Sequence, residues 1–207
     1  MSCTLKMCLD LDTLDIKHHT SQSVVMTLAP TLWRTCRALA NRKRLCLLHV
    51  VMMTPSVSVS DIANALQWRL NTTSQYLRSL NARGLLRVKR EKRFVLYEAA
   101  ADISMPETGI ILKALRIVLR RTDGLNSAFE ALTSFTHPRR IELLKAINQG
   151  AMDIKSMNVK TGISRPALER HLRKLKRRGC VASSRGAYRC ACPKNLLTKT
   201  LLTLALQ

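Results

Sequence analysis

The chain has 207 residues, 46% of them hydrophobic, and a formal net charge of +22 from 35 Lys and Arg against 13 Asp and Glu. That length accommodates two compact domains of about 100 residues each, and the apolar share is enough to build cores. No apolar run reaches the roughly 18–20 residues of a membrane span, and a charge this large opposes compaction and suits a polyanionic partner, nucleic acid ahead of an anionic membrane surface.

Met1 to His19 mixes Asp10, Asp12 and Asp15 with Lys6 and Lys17. It lacks the basic-then-apolar order of a signal peptide. The expectation is a cytoplasmic, nucleoid-associated protein whose seven cysteines are mostly reduced thiols. Their odd number also argues against a full disulfide framework. Residues 1–22 read as an N-terminal arm.

Val24, Val25, Leu28, Leu32, Cys36 and Leu39 recur at helical spacing, so a first helix is expected over 23–40, with Pro30 either kinking it or moving its start. Asn41 suits the cap of a helix over 42–53, which Thr54-Pro55-Ser56 ends. Ser58 or Ser60 starts a short helix ending near Leu66. A helix over 70–83 places Thr73, Leu77 and Leu80 on one face and Asn71, Gln75 and Arg78 on the other; Gly84 stops it. Strands over 85–88 and 93–97 flank a charged turn, Lys89-Arg90-Glu91-Lys92. A helix over 106–121 carries Ile110, Ile111, Leu115, Val118 and Leu119.

Asp123-Gly124 marks a junction, and the same order then resumes. Helices are expected over 125–135, from Pro138 to Asn148-Gln149-Gly150, over 153–161, and from Ser164 as cap to Arg178. Leu168, Leu172 and Leu175 face inward on the last of these, and Gly179 stops it. Strands over 180–183 and 187–192 flank Arg185-Gly186, and a helix over 193–206 closes the chain. Trp33, Trp68 and Phe129 fall at core positions.

The two halves repeat in detail. Leu77, Leu80 and Gly84 return 95 residues later as Leu172, Leu175 and Gly179. Arg44-Leu45-Cys46-Leu47-Leu48 returns at an offset of 96 as Arg140-Ile141-Glu142-Leu143-Leu144. Such a period is too long for a solenoid and right for a duplicated small domain. The expected fold is mainly α with small β-hairpin wings, divided into an arm over 1–22, one domain over 23–122 and a second over 123–207.

Helix, helix, helix, basic helix, two-stranded wing, helix resembles a winged helix-turn-helix domain. The first half is similar to the arsenic-repressor-type (ArsR-type) bacterial regulators. The resemblance is carried by Ala38-Leu39-Ala40-Asn41-Arg42-Lys43-Arg44-Leu45, by Val59-Ser60-Asp61-Ile62-Ala63-Asn64-Ala65-Leu66, and by Ser74-Gln75-Tyr76-Leu77-Arg78-Ser79-Leu80 with Gly84-Leu85-Leu86. The second half keeps Pro138-Arg139-Arg140-Ile141 and Ser164-Arg165-Pro166-Ala167-Leu168-Glu169-Arg170-His171-Leu172. Three features depart from the family. Its members are usually single-domain homodimers. The thiol pair that some carry on the third helix is missing from Val57-Ser58-Val59-Ser60-Asp61. Arg69 stands where a capping Ser is usual, so the first basic helix is expected to be less well capped than the second.

The resemblance implies two winged helix-turn-helix units in tandem. In the homodimeric family the first and last helices form the dimer interface. Here helices 23–40 and 106–121 could meet 125–135 and 193–206 within one chain, as a pseudo-dimer, or the same helices could serve self-association. The expected partner is double-stranded DNA. The first basic helix offers Asn71, Thr72, Ser74, Gln75 and Arg78, of which Asn and Gln pair with adenine edges and Arg with guanine. The second offers Arg165, Arg170, Arg173, Lys174 and Arg177, a set suited to phosphates as well as bases. Wing residues Lys89, Arg90, Lys92, Arg93 and Arg185 are placed for phosphates or a minor groove.

Cys190-Ala191-Cys192, expected on one strand, would point both thiols to one face near Cys180, a set able to bind a soft metal, to act as a redox switch or simply to pack as core. His18 and His19 with Cys3 and Cys8 make a weaker set at the terminus. No Gly-rich phosphate loop, His-Glu-x-x-His motif or credible carboxylate pair occurs, so neither a cofactor nor an enzyme activity is expected. The leading expectation is a sequence-specific transcription regulator, a repressor acting by occupancy with two recognition helices in adjacent major grooves. A plasmid-type replication initiator and a non-specific nucleoid or RNA-binding protein remain alternatives.

Overall fold

A computed structural model describes residues 31–92 and 94–207. The arm over 1–22, the start of the first helix with Pro30, the terminal thiol and imidazole set (Cys3, Cys8, His18, His19), and Arg93 lie outside the described residues. Ten helices and five strands follow in the rest.

The N-terminal half comprises α1 (Leu32–Leu39), α2 (Arg42–Met53), β1 (Val57–Ser58), α3 (Val59–Leu66), α4 (Leu70–Asn81), β2 (Arg87–Glu91), β3 (Phe94–Glu98) and α5 (Pro106–Leu119). The Asn41 side chain caps α2 by accepting from the Arg44 amide at 3.0 Å. Ser58 opens α3 with a reciprocal box: its Oγ accepts from the Asp61 amide, and the Asp61 carboxylate accepts from the Ser58 amide. Gln67, in the left-handed region at φ 54, ends α3 and turns the chain into α4. Gly84 adopts φ +65, and a Cβ there would lie 2.6 Å from Met105 Sδ.

The first wing differs from expectation. β1 pairs with β3, Val57 opposite Tyr97, so the sheet has three strands in the order β1-β3-β2. The charged turn is tighter than expected: Lys89, Arg90 and Glu91 belong to β2, Glu91 pairs with Phe94, and Lys92 takes φ 53. β2 is exposed at every position, so it carries no alternating apolar signal to mark its limits.

The C-terminal half comprises α6 (Gly124–Ser134), α7 (Pro138–Asn148), α8 (Ile154–Thr161), α9 (Arg165–Arg177), β4 (Val181–Ser184), β5 (Ala187–Cys190) and α10 (Leu196–Leu206). Asp153 and Ser156 form the capping box of α8. Arg185 and Gly186 at φ 50 and 79 make the hairpin turn between β4 and β5, the pattern of a type I′ turn. Ser164 makes no side-chain cap on α9, nor does Arg69 on α4, so the expected difference in capping is absent. β5 ends at Cys190, and Cys192 lies exposed beyond it. The two thiols therefore do not share a strand face.

Residues 120–123 join α5 directly to α6. α6 starts at Gly124, where an added Cβ would come within 2.8 Å of Leu119 Cα, so only glycine allows this close turn. α5 packs on α6 and α10, and α1 and α2 also reach α6. Asn195 strengthens this centre by donating to Ser127 Oγ at 2.6 Å while capping α10. Buried apolar residues from Leu32 to Ala205, with Phe135, Leu115, Leu132 and Leu201 fully enclosed, form one connected core. Trp33, Trp68 and Phe129 are half-buried rather than central. Arg34 lies over Trp33, Arg42 over Phe129 and Lys43 over Trp68, at 5.2, 4.9 and 6.0 Å from the ring centres.

Candidate nucleic-acid interface

α4 buries Thr73, Leu77 and Leu80 and exposes Asn71, Gln75 and Arg78. Thr72 and Ser74 are half-buried flanking residues. α9 buries Ala167, Leu168, His171, Leu172 and Leu175 and exposes Arg165, Arg170, Arg173 and Arg177. A 3.6-residue period explains both patterns: inward positions recur at steps of three and four residues, and the outward row falls on the opposite side.

Lys174 departs from the outward set. It is half-buried, and burial followed by the charge of Arg140 holds its ammonium below the ordinary lysine range. Arg165 faces solvent but pairs with Glu169, Nε to Oε1 at 3.0 Å. An exposed pair of this kind is worth little, so its guanidinium is easily exchanged onto a phosphate. Arg178, by contrast, is half-buried and bonded to Glu130 of α6 at 2.6 Å, which ties the end of α9 to the centre.

On the first wing Arg90 and Lys92 are exposed, while Lys89 bonds to Glu98 at 2.8 Å. Arg185 is exposed at the tip of the second wing. Arg87 on β2 and Arg189 on β5 are also exposed, and sequence reasoning misses them. Both are basic residues at strand positions, a signal present in the sequence but not singled out by the wing pattern.

Beneath the basic helices each half carries an arginine bonded to the preceding helix: Arg44, half-buried, and Arg140, buried. Arg44 donates from Nε to Ala38 O and from Nη2 to Arg37 O at 3.3 Å, covering the last carbonyls of α1. Arg140 does the same for α6, with Nε to Ser134 O at 2.6 Å and Nη2 to Thr133 O and Thr136 Oγ1 at 3.0 and 2.6 Å. Each arginine therefore locks one helix to the next, α1 to α2 and α6 to α7. Arg44 lies 5.9 Å from the Tyr76 ring centre. At the matching place beside Arg140 stands His171, 4.9 Å from His137 between ring centres. Burial, then His137, Arg140, Arg170 and Arg139, push the His171 imidazole down to about 4. Its Nε2 is buried without a hydrogen-bond partner among the described residues.

Cys180 and Cys190 behave as core groups. Burial pushes Cys180 and Cys190 each up to about 11, the reverse of a metal-binding or reactive thiolate. Among the described residues no group of three His, Cys, Asp or Glu side chains is placed to hold a metal. Nor is any helix among them long and apolar enough to cross a membrane.

The family model described as "Bacterial regulatory protein, arsR family" matches residues 137–183. The match runs from the His137 cap of α7 through α8 and α9 into β4. No curated protein matches the chain. Residues 137–183, which include α9, are thus similar to the helix-turn-helix of bacterial regulatory proteins of the arsR family.

Proposed function

We propose that the chain is a sequence-specific double-stranded DNA-binding transcription regulator that reads its site with both α4 and α9. The observation that carries this reading is the outward row Arg170, Arg173 and Arg177 on α9, inside the segment that matches the arsR family. α4 presents Gln75 and Arg78 at the positions of Arg170 and Arg173, with Asn71 exposed a turn earlier, and wing residues Arg90, Lys92 and Arg185 add backbone contacts. Lys89, Arg165 and Lys174 contribute less, because each is engaged or half-buried.

In this reading the chain is a tandem of two winged helix-turn-helix units, 23–122 and 123–207. The contacts of α5 with α6 and α10, and of α1 with α6, support a single-chain pseudo-dimer. Two readers so joined enter successive major grooves about 34 Å apart. Repression follows from occupancy: the bound chain excludes polymerase or another factor. Unlike outward faces imply unlike half-sites. Selection from random duplex DNA tests this, with an asymmetric two-part site as the expected product. A perfect palindrome would count against the pseudo-dimer, and no enrichment at all would sink the regulator.

A further inference from the structure

The space between α1 and α4 is a groove of about 460 Å³ lined by Trp33, Arg34, Arg37, Arg44, Ser79 and Arg83 among others, and by no carboxylate. Four guanidinium groups therefore share one groove. Arg44 is committed to the α1 carbonyls, and Arg34 lies over Trp33. Arg37 and Arg83 make no side-chain hydrogen bond or ion pair among the described residues, and Arg37 is exposed.

Arg37 sits on α1, which also packs on α6 of the other half. The His137 imidazole is held down first by burial, then by Arg140, Arg139 and Arg170, and also by Arg37. Because α1 packs on both α4 and α6, Arg37 lies on the helix that bridges the two halves, and Arg139 of α7 and Arg170 of α9 are exposed. Like charges gathered in this way repel one another, and nothing in the core requires them at the surface. A regularly charged polyanion relieves the repulsion along the whole run.

We propose that this seam is a third DNA contact, in which Arg37 and Arg83 hold the phosphate backbone between the two half-sites. The proposal rests on α4 and α9 being the DNA-reading helices. Contacts of this kind release counterions and carry no base information, so they add affinity equally to every sequence. The spacer between half-sites is then fixed in length and free in sequence.

The test uses the full chain, a selected duplex and an unrelated duplex of equal length, titrated over a range of KCl. The Arg37→Ala/Arg83→Ala double variant is expected to bind both duplexes roughly tenfold more weakly near physiological salt, with a salt slope shallower by about two. Its base preference is expected to stay unchanged. Arg37→Lys/Arg83→Lys is expected to recover most of the slope. Ethylation of spacer phosphates should weaken the native chain and leave the double variant indifferent. Far-UV circular dichroism checks the fold; should the double variant unfold, Arg37→Glu alone, at an exposed and unbonded position, gives the same readout. Native affinity and slope in the variants would overturn the seam while leaving the DNA-reading helices intact. Equal, weak binding of both duplexes by the native chain would instead overturn the underlying reading, and the seam with it. Loss of the seam's effect on DNA together with tight, arginine-dependent binding of inorganic polyphosphate would reassign the groove to a small anion and overturn the DNA contact.

Discussion

The two halves solve one structural problem with different chemistry. Arg44 and Arg140, 96 residues apart, each cover the open carbonyls of the preceding helix. Arg44 is half-buried and lies over Tyr76, a neutral ring. Arg140 is only 7% exposed and stands beside His171, a titratable one. The capping boxes are exchanged in a similar way. Ser58 caps and Asp61 answers in α3, whereas Asp153 caps and Ser156 answers in α8. Geometry is shared while polarity is not, so the same helix arrangement leaves wide freedom in which partner carries the charge.

Removing the two arginines should separate the halves most strongly. Arg140→Ala strands two carbonyls and a hydroxyl in a buried place, and a loss of about 3 kcal/mol is expected in urea unfolding. Arg44→Ala should cost nearer ~1 kcal/mol, because Arg44 is only half-buried and one of its two acceptors lies on the exposed Arg37. Equal losses would show that burial does not distinguish the two sites.

The neighbouring ring predicts a pH dependence. The folded His171 sits at about 4, below the unfolded value of about 6.5. The unfolded chain therefore binds the proton first, and stability should fall as pH drops from about 6.5 to about 4. The expected loss is on the order of 2–3 kcal/mol, read as the midpoint of denaturant unfolding across that range. His171→Tyr, which copies Tyr76, should flatten the profile, and Tyr76→His should add a slope to the first half. His137, held down by the same arginines, contributes in the same direction.

On DNA the halves should lose different things. Gln75→Ala is expected to cost about 2 kcal/mol of discrimination at one base pair with the salt slope unchanged. Arg170→Ala should weaken all sequences and reduce the slope by about one. Identical effects in a fluorescence anisotropy titration would remove the division between base reading and backbone holding. The smallest effect is expected at the caps: Ser58→Ala should destabilise by about 1 kcal/mol, measured by thermal unfolding.

Much of the fold is visible in short-range pattern. Asn41 and the break at Thr54-Pro55 delimit α2, and the spacing of Leu168, Leu172 and Leu175 orients α9. Pairings between distant segments leave no such trace. β1 is only two residues long, and its residue Val57 pairs with Tyr97, 40 positions away. The same holds for Arg178 with Glu130. Arg165 with Glu169 is readable from i, i+4 spacing, and it lowers the charge that the outward face of α9 presents. The groove with Arg37 and Arg83 is wholly tertiary: α1 and α4 are separated by two helices and a strand, and composition alone says only that arginine is plentiful.

The short joint of residues 120–123, with Gly124 pressed against α5, has a consequence for dilution. A regulator assembled from two chains loses its reading unit when its concentration drops below the dimer dissociation constant. In the proposed pseudo-dimer, covalent linkage replaces that second-order step by an intramolecular one, whose effective concentration does not depend on how many molecules are present. Unfolding midpoints of this chain should therefore be the same at nanomolar and micromolar protein, and a few copies per cell would be as competent, molecule for molecule, as several thousand.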